Sequence, residues 1–187
     1  MGGRYTWFIE EEEQDIRKII RAVQEKGHEV KTGEIYPTNP APILVWEGKE
    51  TVPQAVKWGW PKFQGSGVLI NARAETAKEK NLFRKSVYTR RCVVPTTGFY
   101  EWDQEKAKYR FILPHASTLY LAGLYNEFQG ERRFLILTTE ANASVSFIHS
   151  RMPVIVFREM IDTWLEDTEK AVHMLHWQQP ELHIATQ

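Results

Sequence analysis

From Val68 onward the chain is a succession of short β-branched and aromatic runs, and this constrains the fold more than any other feature. VLINA, RCVVP, GFYEWD, YRFILP, LYLAGLYNEF and RRFLILTTE follow one another, each bounded by turn-forming or charged residues. Runs of this length and spacing predict a largely antiparallel sheet or barrel. ANASVSFIHSR reads as a short helix or turn, PVIVF as a further strand, and EMIDTWLED and EKAVHMLHWQ as two helices.

Ahead of this block, Arg4 to Phe8 reads as a strand, and EEEEQDIRKIIRAVQEKGHEV places Ile16, Ile19, Ile20 and Val23 on one face of a helix. Its leading glutamates suit the positive end of the helix dipole, and Gly27 is a natural stop. In EIYPTNPAPILVWEGKE the prolines Pro37, Pro40 and Pro42 forbid a helix and predict a surface loop feeding a short strand, Ile43 to Trp46. No repeat or linker interrupts the chain, so one α+β domain over residues 1–187 is expected.

Composition narrows the class. The 187 residues are 42% apolar and 26% charged, ordinary for a globular protein with a substantial core. No apolar run is long enough to span a bilayer and the first residues are acidic, so the chain is expected in the cytoplasm, at the nucleoid in a bacterium. Cys92 is the only cysteine, which excludes an intrachain disulfide. His173 and His176 are helically spaced but lack an HExxH pattern, and no phosphate-binding glycine loop is present, so neither metal nor cofactor is expected.

Four clusters carry polar groups inside apolar strands or tight turns. In INARAE, strand alternation puts Asn71, Arg73 and Glu75 on one face, by itself a solvated face. In GFYEWD, Glu101 lies between Tyr100 and Trp102; it is either a proton carrier set up by desolvation or an outward-pointing residue. FIHSRMPV joins His149, which exchanges protons near neutral pH, to Arg151, which suits a phosphate or carboxylate, although a structural turn would use the same residues. KEKNLFRKSVYTRRC concentrates Lys78, Lys80, Arg84, Lys85, Arg90 and Arg91, a solvated face or a phosphate-binding stretch. Beside it, KWGWPKF offers Trp58, Trp60 and Phe63 as core residues or a stacking platform.

Taken in order, these clusters resemble the SOS-response-associated peptidase (SRAP) family. The resemblance runs through WGW, Pro61 and Phe63, INARAET, Lys80 with Phe83-Arg84, RRCVVPTTGFYEW, AGLY, ILTTEAN and IHSRMPV, nearly the whole chain. It implies an α+β fold with a bent sheet or barrel core, peripheral helices and a basic groove, acting as a monomer on single-stranded DNA that contains abasic sites. In the family, a cysteine after the initiator methionine attacks the aldehyde of the opened sugar; its amine forms an imine that the thiol closes to a thiazolidine. By the same resemblance Asn71 holds the N-terminal nucleophile or the sugar, Glu101 shuttles protons at the amine and His149 assists ring opening. Arg4, Arg73, Arg84 and Arg151 would line the DNA groove, and Trp58 and Phe63 would stack or wedge at a junction between single and double strand.

One position departs from the family. Gly2 stands where the cysteine belongs, followed by Gly3 and Arg4, so the amine is retained and the thiol is missing. Crosslinking through a thiazolidine is therefore expected to be impaired. Two further readings are a non-covalent binder of single-stranded or junction DNA and a peptidase acting on its own N-terminus.

Overall fold

The computed structural model describes residues 2–8 and 14–186. In chain order it begins with β1 (Tyr5–Trp7), α1 (Gln14–Glu25), β2 (Gly33–Ile35), β3 (Pro40–Glu47), β4 (Glu50–Trp58), β5 (Trp60–Pro61), β6 (Val68–Leu69) and β7 (Asn71–Arg73). It continues with α2 (Asn81–Thr89), β8 (Arg91–Thr96), β9 (Gly98–Trp102), β10 (Lys108–Ile112), β11 (Leu119–Phe128) and β12 (Glu131–Glu140). The last elements are α3 (Ala143–Ser146), β13 (Arg151–Pro153), α4 (Ile161–Glu166), α5 (Thr168–Met174) and β14 (His183–Ile184).

The long strands close on themselves. Pairing runs β11-β8-β3-β4-β12, and β11 also pairs with β12, so five strands form a barrel without free edges among them. Alternation fills its interior with Ile43, Val45, Val94, Leu121, Ile136 and other buried side chains, while Leu44, Val93, Leu124 and Leu135 share the opposite face. Most pairings are antiparallel; β4 and β7 join β12 in parallel. A second sheet, ordered β14-β10-β9-β1-β2, buries Tyr5, Trp7, Phe99 and Phe111.

Helix α1 buries Ile16, Ile19 and Val23, leaves Ile20 half-buried, and ends where Gly27 donates to the Gln24 carbonyl at 2.9 Å. The glutamates at positions 10–13 expected to lead it lie outside the described residues. The strand expected at Ile43 to Trp46 runs instead from Pro40 to Glu47, prolines included. Its continuous ladder lies with β4 alone, and it meets β8 only at Leu44↔Val93, so proline finds a flank that needs no donor. Its partner β4, with Pro53 inside and mostly half-buried side chains, has too weak an alternation to be read from the sequence.

PVIVF does not form a strand of its own. Strand β13 ends at Pro153, after which Val154 donates to Leu137 on β12 and Val156 donates to Tyr120 on β11. The segment crosses between two strands, so a ladder with either is cut short.

The basic stretch resolves into α2, which buries Phe83, Ser86 and Val87 on its apolar face. Arg91 behind it is only 6% exposed. Its Nε donates to the Trp164 carbonyl at 2.6 Å, Nη1 to Val87 and Tyr88 at 2.8 and 2.9 Å, and Nη2 to Leu165 at 3.2 Å. The guanidinium thus ties the C-terminal carbonyls of α2 and α4 to the barrel, where the helix dipole favours a cation. Arg91 is a structural residue and not part of a phosphate-binding face.

Candidate active site

The N-terminal segment leads into β1, between β9 and β2 of the second sheet. The Gly2 N–H donates to the Tyr100 carbonyl at 3.3 Å and the Tyr100 N–H donates to the Arg4 carbonyl at 3.0 Å, extending the β1–β9 pairing to the start of the chain. A Cβ built on Gly2 would lie 2.5 Å from Cε3 and Cζ3 of Trp102. The indole occupies the volume a side chain at residue 2 would need. Gly3 has φ +80°, the left-handed region that glycine enters without strain, and it faces Ile70, the residue before Asn71. Both glycines therefore answer a local constraint, one of space and one of backbone angle.

Glu101 comes from β9 between Tyr100 and Trp102, and strand alternation turns it inward with Phe99, leaving it 1% exposed. The inward reading of GFYEW is the one adopted. Facing it, His149 Nε2 lies 3.7 Å from Glu101 Oε2. His149 Nδ1 lies 3.1 Å from the Arg151 N–H and 3.3 Å from the Arg151 carbonyl, contacts that orient the ring so that Nε2 points toward the carboxylate. His149 also borders a cleft of about 620 Å³ shared with Trp102, Glu105 and the exposed Phe147.

Asn71 opens β7 opposite Ile136, half-buried at the barrel rim. Arg151 is tied to Glu75 by two hydrogen bonds, Nη1 to Oε1 at 2.8 Å and Nη2 to Oε2 at 2.9 Å, and Nη2 also donates to the Thr138 carbonyl and hydroxyl at 2.9 and 3.1 Å. The Arg151 guanidinium holds the Glu75 carboxyl down at about 2. Arg73, the last residue of β7, is exposed, and Glu75 lies in the turn after it rather than on the strand face expected to join it to Asn71 and Arg73.

Arg4 lies 3.5 Å from Glu34, with its guanidinium 4.6 Å over the Tyr36 ring and 5.3 Å from the Trp102 ring. Arg84 turns back on its own segment, donating to the Lys78 and Glu79 carbonyls at 3.2 and 2.9 Å. That use of its donors was not visible in a run of cations. Phe63 is 86% exposed on the turn between β5 and β6.

Trp58 corrects an expectation. It is fully buried, its ring 5.1 Å from Tyr5 and 6.3 Å from Phe134, and its Nε1–H donates to the Ile70 carbonyl at 3.3 Å. It cannot meet a base in this arrangement; it braces the backbone that leads into Asn71. Trp60 is buried in the same way. Gly59, with a φ of +111° that favours glycine, bends the chain between them, so Trp58 packs on Tyr5 and Phe134 while Trp60, in the β5–β6 ribbon, packs on Phe83 and Phe128.

Sequence reasoning also missed Glu34 as a partner of Arg4 and Lys108, and Glu75 as the partner of Arg151. Both pairings join distant segments, so only a charge count could have hinted at them. Cys92 is fully buried on β8 beside Gly123, where burial pushes its thiol well above the ordinary range. It supplies no substitute nucleophile. Among the described residues no group of three metal-ligating side chains gathers, and no helix is long and apolar enough to cross a membrane.

Comparison with known proteins gives the family and the fold. The family model for SOS response associated peptidase (SRAP) matches residues 1–185. The abasic site processing protein YoqW of Bacillus subtilis is 31% identical over 179 residues, covering 88% of this chain and 80% of that protein. The abasic site processing protein HMCES of Xenopus tropicalis is 28% identical over 138 residues, covering 57% of this chain and 41% of that protein. A solved structure from Bacteroides thetaiotaomicron superposes with a TM-score of 0.76 at 23% identity, covering 97% of this chain and 90% of the other. One from Bordetella bronchiseptica reaches 0.77 at 21% identity, covering 98% of each chain. With a family match over residues 1–185, the chain belongs to the SRAP family.

Proposed function

We propose that this chain binds abasic sites in single-stranded DNA and captures the opened sugar as an imine on the α-amine of Gly2, without the thiol that would close a thiazolidine. The observation that carries this reading is the placement of residue 2. Its nitrogen meets the Tyr100 carbonyl, the next residue along β9 is the buried Glu101, and Trp102 fills the side-chain volume.

Removal of Met1, which a small second residue permits, would leave the amine at this point. An α-amine has a reference pKa of about 8, so a useful fraction is neutral near pH 7. Its nitrogen attacks the C1′ aldehyde, and the surplus proton on nitrogen passes to the Glu101 carboxylate and on through His149 to the oxygen, which becomes a hydroxyl. The remaining N–H proton follows the same route to that hydroxyl, which leaves as water, so an imine remains and both side chains return to their starting states. Water then returns the imine to amine and aldehyde, or loss of a C2′ proton expels the 3′ phosphate. Asn71 holds the sugar or the amine, Arg4, Arg73 and Arg151 hold flanking phosphates, and Phe63 wedges at a junction.

Incubation with an abasic single-stranded oligonucleotide, followed by a denaturing gel and intact mass, tests this reading. A covalent adduct is expected only after borohydride reduction. A heat-stable adduct without reduction overturns the thiol-free chemistry. No adduct under either condition, from protein whose mass shows Met1 removed, overturns the covalent reading and leaves non-covalent DNA binding. Gly2→Cys is expected to give a heat-stable band, faster when Trp102→Ala clears the ring from residue 2; equal or slower formation in the double variant means the indole is no obstacle.

A further inference from the structure

The face of the second sheet turned away from the core carries its own pattern. The register Lys108↔Trp102 and Arg110↔Tyr100 puts these four side chains on one face, while Phe99, Glu101 and Phe111 point inward. Arg4 joins them across β1. The Lys108 ammonium sits 3.9 Å over the Tyr100 ring, and the Arg110 guanidinium 5.1 Å over the ring of Phe8. A hollow of about 700 Å³ opens here, floored by Tyr100, Lys108 and Arg110 and walled by Phe8 and the backbone after β14.

Cations interleaved with half-buried rings on an open sheet face are what an unpaired nucleotide requires: a flat ring for its base and a positive charge for its phosphate. The hollow is wide enough for one nucleobase. Tyr100 is also the residue whose carbonyl receives the Gly2 N–H, so the face begins where the proposed reaction takes place. Glu34 shows how an anion is held there. Its carboxylate is bound by Arg4 at 3.5 Å, by Lys108 and by the Tyr36 hydroxyl at 2.9 Å, and these contacts lower its pKa.

We infer that this face is a track for single-stranded DNA beside the abasic site, with a neighbouring base stacked on Tyr100 and its phosphates on Lys108 and Arg110. The inference rests on the reading given under Proposed function. In the free protein Lys108 covers the ring and Glu34 holds the cations; on binding, the base takes the ring face and phosphate takes the place of the carboxylate. Glu34 is therefore a competitor for phosphate, and removing its charge tightens binding. A duplex, its bases already stacked, has no ring to offer Tyr100.

Anisotropy of an undamaged single-stranded oligothymidylate, titrated at several salt concentrations, tests the track. Tyr100→Ala is expected to weaken binding about 5-fold or more. Lys108→Met and Arg110→Met, which keep the apolar stems, should each reduce the salt slope by about 0.7. Glu34→Gln should tighten binding at low salt. Circular dichroism verifies that each variant is folded, and in Lys108→Met, Arg110→Met and Glu34→Gln the borohydride adduct formed at saturating abasic DNA should remain.

Unchanged affinity and slope in all three weakened variants, with the wild type still forming the adduct, overturns the track and leaves the proposed function standing. Loss of the adduct at saturating DNA in folded Lys108→Met and Arg110→Met also overturns it, since these residues would then serve the reaction itself. A wild type that neither binds the oligothymidylate nor forms an adduct overturns both.

Discussion

Two carboxylates, Glu75 and Glu101, each face a basic residue from the same short segment, IHSR. Glu75 meets Arg151 through two hydrogen bonds of 2.8 and 2.9 Å in a pair that is 41% exposed on the carboxylate side. Glu101 meets His149 at 3.7 Å and is 1% exposed. The first pair is fixed by two parallel hydrogen bonds; its geometry suits holding a strand or a neighbouring anion. In the second only the carboxylate is buried, its histidine opening to solvent, and the two lie close enough to attract but too far apart for a hydrogen bond, which suits passing a proton to a third group beside them. Spacing within IHSR makes the division possible: the Arg151 N–H holds His149 Nδ1, while the Arg151 side chain reaches the other carboxylate.

The sharpest way to break this comparison is Glu101→Gln, which keeps the shape and removes the base. Adduct formation trapped by borohydride is expected to slow by about 100-fold or more, with thermal stability little changed. His149→Ala should slow it similarly, and unchanged rates in both would remove the assigned roles. Arg151→Ala should instead weaken binding of single-stranded DNA several-fold and flatten its salt dependence by about 0.7, leaving the trapped rate at saturating DNA nearly intact. A collapse of that rate would mean that the two pairs act as one unit.

The smallest effect is expected from Glu75→Gln. Because Arg151 holds the native carboxyl at about 2, below its ordinary value, Glu75 stabilises the fold above its unfolded pKa, and the contribution is lost as pH falls toward about 2. Half-exposed as the pair is, solvent screening keeps this below about 1 kcal/mol. Denaturant midpoints of the wild type and Glu75→Gln should differ near pH 7 and converge through the acid range. A constant difference across pH would mean that Glu75 acts by packing alone.

Much of this site could be named from the sequence and little of its arrangement. Glu101 and His149 stand out as polar residues inside apolar motifs, yet alternation alone left Glu101 facing in or out; the packing of β9 over the core decided it. Arg91 looked like one more cation in a basic stretch, because nothing in its neighbours reveals four backbone carbonyls brought from α2 and α4. Helix α2 itself was hidden by that charge, although Phe83, Ser86 and Val87 have helical spacing. Trp58 had the residue type of a stacking platform and the position of a core ring.

What the amino-acid order determined by itself is the short-range physics: the period-2 strands, the helix at Ile16 to Val23, the inventory of acids and bases, and the missing thiol at residue 2. These depend on residues within a turn or a strand of one another. The tertiary structure alone decided which carboxylate meets which base, where PVIVF is divided between β11 and β12, and that the Trp102 ring takes the space beside Gly2. Those outcomes depend on closing the barrel and laying the second sheet across its end, and contacts between distant segments leave no local period in the chain.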